Sequence, residues 1–475
     1  MRASATHTHG TRAAFWLWKG LIAYIVLLPL MVVRGVPVVG AKLQLSDLLF
    51  LALCLMLWWA MRQGAWSWRR TPVLPVLGIF LGIAAISMVL SGFTKASVLE
   101  VLGYAYMACL YLVVVNSIRT WSEWIRVIEI WVAVSTVVAL IGVVGVFFAY
   151  RGIVTPFAVH YPYFFNLIKH PFWIATSTFL ASPTPNMVYG YLHLGFFLTL
   201  GLLVSAWRRP RRRAWYLVAL IIHLVAVLLT YSRGWLALVV GSFVFLWQFR
   251  SRLVLVLSHA MFLLVLFVAV LVEGPSLYNV HQVSLTITPA SPNLSVEERE
   301  RAYAYLQPNV PFHRLQFEAT YAPFSRVYLY RAALKMFHQQ PWLGIGPGNF
   351  SEEIYRRQRQ GETWDGLRVT TPWDPHSTYL GGLAELGFLG GVAIVMMFGL
   401  AVWQVLQAMR RAGSVPGPSV LWGLFSGLVG YLVYAFDVDM LTMRWFWFAA
   451  ALGGCAGACQ AGSREPRGGR AMTAG

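Results

Sequence analysis

The sequence predicts an all-α polytopic membrane protein with about twelve transmembrane helices and a helical polar insertion between spans nine and ten. Three observations predict it. The chain is 58% hydrophobic and 12% charged, where a soluble domain carries about 25% charged residues. Several apolar runs reach the roughly 20 residues a helix needs to cross a bilayer. Basic residues crowd into alternate inter-span loops, the pattern that sets orientation in a membrane.

The predicted spans are 15–34, 44–61, 72–91, 97–117, 125–149, 187–207, 214–231, 234–249, 253–273, 378–408, 418–436 and 443–460. They divide the chain into spans one to nine (1–273), an insertion (274–377), spans ten to twelve (378–461) and a tail (462–475). The polar start, Met1 to Arg12, shows no cleavable-signal pattern, so the first apolar run is expected to remain as a span. With the N-terminus in the cytoplasm, that side receives Arg62, Arg69, Arg70, Arg119, Arg126, the Arg208–Arg213 cluster, Arg250, Arg252, Arg410 and Arg411. The opposite short loops hold single basic residues such as Lys95 and Arg233. The insertion is therefore expected on the outer face, where no ATP is available, and both termini in the cytoplasm.

The net charge of +19 is accounted for by these loops, and no nucleic-acid-binding motif accompanies it. Cys54, Cys109, Cys455 and Cys459 all lie in hydrophobic runs. Such thiols read as packing rather than as disulfides or metal ligands. The aromatic, proline-broken stretch 150–186 reads as an interfacial segment, either an anchoring belt or one wall of a groove for a lipid-linked substrate.

The insertion has internal order. Ser295-Val296-Glu297-Glu298 has the form of a capping box opening a surface helix. A second helix is expected from near Ser325 to Gln339, stopped by Pro341. Arg326 falls in its first turn, where free amides and a guanidinium make an anion site; a surface arginine snorkelling at the interface is the bland alternative. Tyr330 follows one turn later on the same face. Gly344-Ile345-Gly346-Pro347-Gly348-Asn349-Phe350 lacks the lysine and hydroxyl of a phosphate loop and reads as a tight turn before a helix. Arg233 sits between two apolar spans with almost no loop, a depth at which a charge is costly and tends to be functional. His376, at the end of the insertion, is a titratable base where a polar loop meets a membrane. Glu385 lies nine residues further, about 13 Å along a helix; it could pair with an arginine, orient the site or support packing beside Gly387 and Gly390. Asp437, Asp439 and Arg444 form the last outer turn and are expected to pair with one another.

These pieces occur together in one family. The blocks Thr230-Tyr231-Ser232-Arg233-Gly234, Ser325 to Ala333, Pro341 to Phe350, and His376-Ser377-Thr378-Tyr379-Leu380 through Gly390 resemble the O-antigen ligase and polymerase superfamily of bacterial integral membrane glycosyltransferases. The resemblance covers roughly 230–400. The family often has Asn where this chain has Ser377, and Trp where it has Tyr330. The resemblance implies a metal-independent, cofactor-free transferase of the GT-C type in the bacterial inner membrane. Its donor would be a glycan on undecaprenyl diphosphate at the periplasmic face. Its acceptor would be lipid A–core for a ligase, another lipid-linked glycan for a polymerase, or a protein hydroxyl. Carried onto this chain, Arg233 and Arg326 would hold the diphosphate and His376 would deprotonate the acceptor, with Tyr330, Arg331, Tyr379 and Glu385 in support. Ligase is the leading expectation. A lipid or solute transporter would also suit twelve spans, but no internal repeat of the kind transporters carry is seen.

Overall fold

The computed structural model describes residues 2–29, 36–38, 41–43, 45–62, 68–150, 158–161, 173–176, 185–230, 232, 234–249, 281–289, 315–323, 326–360, 374–412 and 418–464. Helices dominate it: α1 (Arg2–Leu27), α2 (Leu45–Arg62), α3 (Val73–Leu90), α4 (Lys95–Ser117), α5 (Trp121–Tyr150), α6 (Pro185–Ser205), α7 (Pro210–Leu229) and α8 (Trp235–Leu246). After the insertion begins come α9 (Arg326–Gln339), α10 (Phe350–Arg359), α11 (Thr378–Ala412), α12 (Pro418–Tyr434) and α13 (Arg444–Arg464). Every predicted span overlaps one of these helices except 253–273, which lies outside the described residues. Among the described residues, seven helices are long and apolar enough to cross a membrane: α2 to α7 and α11. Phe15–Leu27, Trp235–Phe249 and Pro418–Tyr434 are apolar but shorter. The chain is a multi-pass membrane protein.

The helix ends follow local chemistry. Thr94 caps α4 by accepting from the Ser97 amide at 3.1 Å. Thr120 and Glu123 form a reciprocal capping box at the start of α5, with Glu123 N–H donating to the Thr120 hydroxyl at 3.2 Å and Thr120 N–H to the Glu123 carboxylate at 3.0 Å. Pro210 opens α7, where its missing N–H costs nothing.

The core is one continuous apolar cluster running through α1 to α8 and α11 to α13. Burial grades the helices. In α6, 83% of the apolar window is buried, against 28% in α2 and α7, so α6 stands at the centre and the other two at the rim. A second, smaller cluster joins Leu329, Ala332, Ala333 and Met336 of α9 to Phe350 and Ile354 of α10 and to Ala384 of α11.

Within the insertion α9 and α10 are helical as expected, and one ribbon departs from the helical expectation. His281–Pro289 and Leu315–Pro323 form an antiparallel two-stranded ribbon, β5–β6, in register Val283↔Tyr321, Leu285↔Ala319 and Ile287↔Phe317. Both segments alternate apolar and polar residues, the period of a strand rather than a helix. The expected capping box at Ser295–Glu298 lies outside the described residues. Two shorter ribbons, β1–β2 (Val36–Val38, Ala41–Leu43) and β3–β4 (Ala158–Tyr161, Trp173–Thr176), occupy earlier connections. The second falls in the aromatic stretch 150–186, most of which lies outside the described residues.

Candidate active site

His376 occupies the left-handed region with φ +49°, unusual for a residue with a Cβ. It is half-buried. The chain then turns at once into α11, and the next two residues fix that turn. Ser377 caps the helix, its hydroxyl accepting from the Leu380 amide at 3.4 Å. Thr378 makes three bonds to the turn that follows α12. Its amide donates to the Ala435 carbonyl at 2.8 Å. Its hydroxyl donates to the Val438 carbonyl and accepts from the Met440 amide, both at 2.8 Å. The Tyr379 hydroxyl donates to the Leu432 carbonyl at 3.0 Å, and its ring packs 4.6 Å from Phe436.

The helix that carries Arg326 reaches the same turn. Arg326 opens α9, and the Tyr330 hydroxyl one turn later donates to the Phe436 carbonyl at 3.0 Å. The guanidinium of Arg326 lies outside the described residues. Arg331 is exposed.

Arg233 also lies outside the described residues, but its neighbours are held. The Ser232 hydroxyl donates to Asn186 Oδ1 at 2.9 Å and stands 3.1 Å from the Tyr434 hydroxyl, which donates to the Asn186 carbonyl at 2.9 Å. The Tyr189 hydroxyl donates to the Gly234 carbonyl. A Cβ at Gly234 would sit 2.2 Å from the Tyr189 ring, so the position requires glycine. Two buried helices, α6 and α12, thus hold the chain on both sides of Arg233.

Glu385 meets the backbone amides of the glycine loop. Its carboxylate accepts from the Gly348 amide at 2.9 Å and the Phe350 amide at 3.1 Å. It therefore sits on the N-terminal turn of α10, where a negative charge meets the free amides of the helix start. At the same point α11 is broken. Gly387 has φ 66° and ψ −165°, and the glycine loop packs into the break. Ile345 N–H donates to the Ala384 carbonyl and Gly346 N–H to the Glu385 carbonyl, both at 3.0 Å. The Gly344–Phe350 segment is a structural turn, and Glu385 orients it through these backbone amides.

The turn between α12 and α13 corrects a sequence expectation. Arg444 pairs with Asp47 of α2 at 2.7 Å, not with Asp437 or Asp439, and lies over the Tyr106 ring at 4.8 Å. Asp439 instead caps its own turn, accepting from the Leu441 amide at 3.0 Å and the Thr442 hydroxyl at 3.1 Å. Burial pushes its carboxyl up to about 6, with the charge of Asp374 adding to the effect. A partner in the second helix of the chain cannot be read from local spacing, whereas two acids and an arginine close together in sequence invite a local pairing.

Sequence reasoning passes over Thr378, Tyr434, Asn186 and Tyr189. Thr378 stands two residues after the candidate base, and nothing in its spacing marks it out from its neighbours. The others lie in apolar spans, where a lone hydroxyl or amide gives no periodic signal.

The sequence profile of the family described as O-antigen ligase matches residues 218–395. No curated protein matches the chain. The matched segment contains positions 233, 326, 376 and 385, and it ends before the turn on which Thr378 and Tyr330 converge.

Proposed function

We propose, on the premise that residues 218–395 make this chain a member of the O-antigen ligase and polymerase superfamily, that it transfers a glycan from undecaprenyl diphosphate to an acceptor hydroxyl at the periplasmic face of the inner membrane. The leading acceptor is lipid A–core. The proposal takes the N- and C-termini as cytoplasmic and the twelve-span layout as the frame, with 274–377 on the periplasmic side.

The reaction follows from three groups. His376 takes the proton from the acceptor hydroxyl, the general-base role for which an imidazole is suited near neutral pH. The freed oxygen attacks the anomeric carbon as the bond from that carbon to the diphosphate oxygen breaks. The polyprenyl diphosphate departs with the bonding electrons, and Arg233 and Arg326 neutralise the charge it gains. Guanidinium forks match phosphate oxygens two at a time, and fixed charges need no reorganisation as the bond breaks. Displacement from the side opposite the leaving group inverts the anomeric centre.

The observation that carries this reading is the shared mooring of two blocks. The His376 turn, through Thr378, and the Arg326 helix, through Tyr330, both bond to residues 435–440. A base and a leaving-group arginine of one site have to be held in one frame.

The test is His376→Ala in purified protein supplied with lipid-linked donor. Loss of transfer by about 100-fold or more is expected, since general-base catalysis contributes ~10²–10⁴. Full transfer in a folded variant would sink the assignment. A polymerase differs from a ligase in acceptor alone, so parallel reactions with lipid A–core and with a second lipid-linked glycan separate the two.

A further inference from the structure

We infer that the end of α12 and the turn after it, Leu432 to Met440, are the positioning element of the site, with Thr378, Tyr330 and Tyr434 as the clamps. The segment lies outside the residues matched to the family profile, and the inference rests on the proposed transferase reading.

Three separated parts of the chain meet this one segment. The block after His376 bonds to it four times, through the Thr378 amide to Ala435, the Thr378 hydroxyl to Val438 and from Met440, and the Tyr379 hydroxyl to Leu432. The Arg326 helix bonds to it through the Tyr330 hydroxyl and the Phe436 carbonyl. The Arg233 turn touches it through Tyr434, whose hydroxyl stands 3.1 Å from Ser232 and also bonds to Asn186 of α6. Parts of the chain far apart in sequence therefore share one support. Val438 and Met440 are buried, so the support belongs to the packed core and not to a loose loop.

The nature of the bonds matters. Five of these contacts use main-chain groups of the segment, whose positions are set by the fold and not by a rotamer. A hydroxyl pinned on both sides, as Thr378 is, leaves His376 two residues away with little freedom. The left-handed backbone of His376 is a conformation that persists only where its surroundings enforce it. Displacing a reacting group by about 1 Å can cost about 100-fold in rate without any change in binding.

Four variants test this by steady-state kinetics on detergent-purified protein, with turnover expressed per folded molecule. Tyr330→Phe and Tyr434→Phe each remove one hydroxyl and keep the ring. Thr378→Val removes the two-sided clamp and keeps the volume; Thr378→Ser restores the hydroxyl. Thr378→Val is expected to lower kcat by about 10–100-fold with donor KM within about 3-fold. Thr378→Ser should recover turnover to within about 3-fold, and the two phenylalanine variants should lower kcat by about 3–10-fold. If Thr378→Val fails to fold, the two phenylalanine variants still decide. Wild-type kcat per folded molecule in both phenylalanine variants, or a loss seen only in KM, overturns the inference. His376→Ala is the control that separates the two claims. If it transfers glycan at full rate, the transferase site itself is misassigned. If it is inactive while the clamp variants turn over normally, the site stands and the positioning role falls.

Discussion

At the scale of single residues, Asp439 shows how the turn between α12 and α13 couples to pH. Its carboxyl has an ordinary value of 3.8 and is pushed up to about 6 by burial, against the opposing bonds from Leu441 and Thr442. The folded chain therefore holds this proton more tightly than the unfolded chain does. The resulting contribution to stability is complete below the unfolded value and is lost as pH rises through about 6. Asp439→Asn keeps an acceptor for the Leu441 amide and removes the titration. Melting temperatures in detergent should then vary less with pH between the two values, and the variant should equal or exceed the parent above about 6. A pH dependence identical to that of the parent would mean that the carboxyl does not titrate as its burial implies. The residue scale is also where the sequence is both most and least legible. His376 and Glu385 stand out because charge is rare in this chain. The hydroxyls that hold the His376 turn do not, because hydrogen bonds between distant segments leave no spacing behind.

At the scale of elements, the informative object is the broken helix α11 with the glycine loop set into it. A Cβ on Gly344 would come 2.3 Å from the Glu385 carbonyl carbon, and one on Gly387 would come 2.3 Å from that of Trp342. Both glycines have positive φ, 68° and 66°. The two backbones run against each other with no room for side chains, and Gly387 combines its φ with a ψ of −165° that only glycine adopts readily. Gly387→Ala and Gly344→Ala should each destabilise the protein by at least ~1–3 kcal/mol, read as a fall in melting temperature. Gly399 lies in the same helix, and a Cβ there would meet nothing within 4 Å. It is the matched control, and Gly399→Ala should cost nothing. Equal effects at the three positions would refute the close approach. Much of this element is legible in the sequence: Pro341 ends α9 and the glycines mark a turn before α10. The ribbon β5–β6 is legible too, through its alternation, but the expectation of helix in the insertion overrides a period-two signal.

At the scale of the whole molecule, the apolar runs make the helical frame readable, because length and hydropathy alone determine which segments suit a bilayer. Their mutual packing is not readable. That α6 is the buried centre and α2 and α7 the rim depends on contacts summed over many helices, and α6 is no more hydrophobic than its neighbours. The chemistry proposed for this chain depends on one global property above all, the side of the membrane on which 274–377 lies. The arginine clusters at 208–213 and 410–411 argue that their own side is cytoplasmic, since basic short loops resist translocation. Ser284, in strand β5 opposite Thr320, and Arg411, at the end of α11, then lie on opposite sides. In a background with the four native cysteines replaced by serine, Ser284→Cys should react with a membrane-impermeant maleimide in intact spheroplasts, and Arg411→Cys only after permeabilisation. The reverse pattern would put His376 in the cytoplasm, where nucleotide donors are available. A lipid-linked diphosphate would then no longer be the donor that location favours.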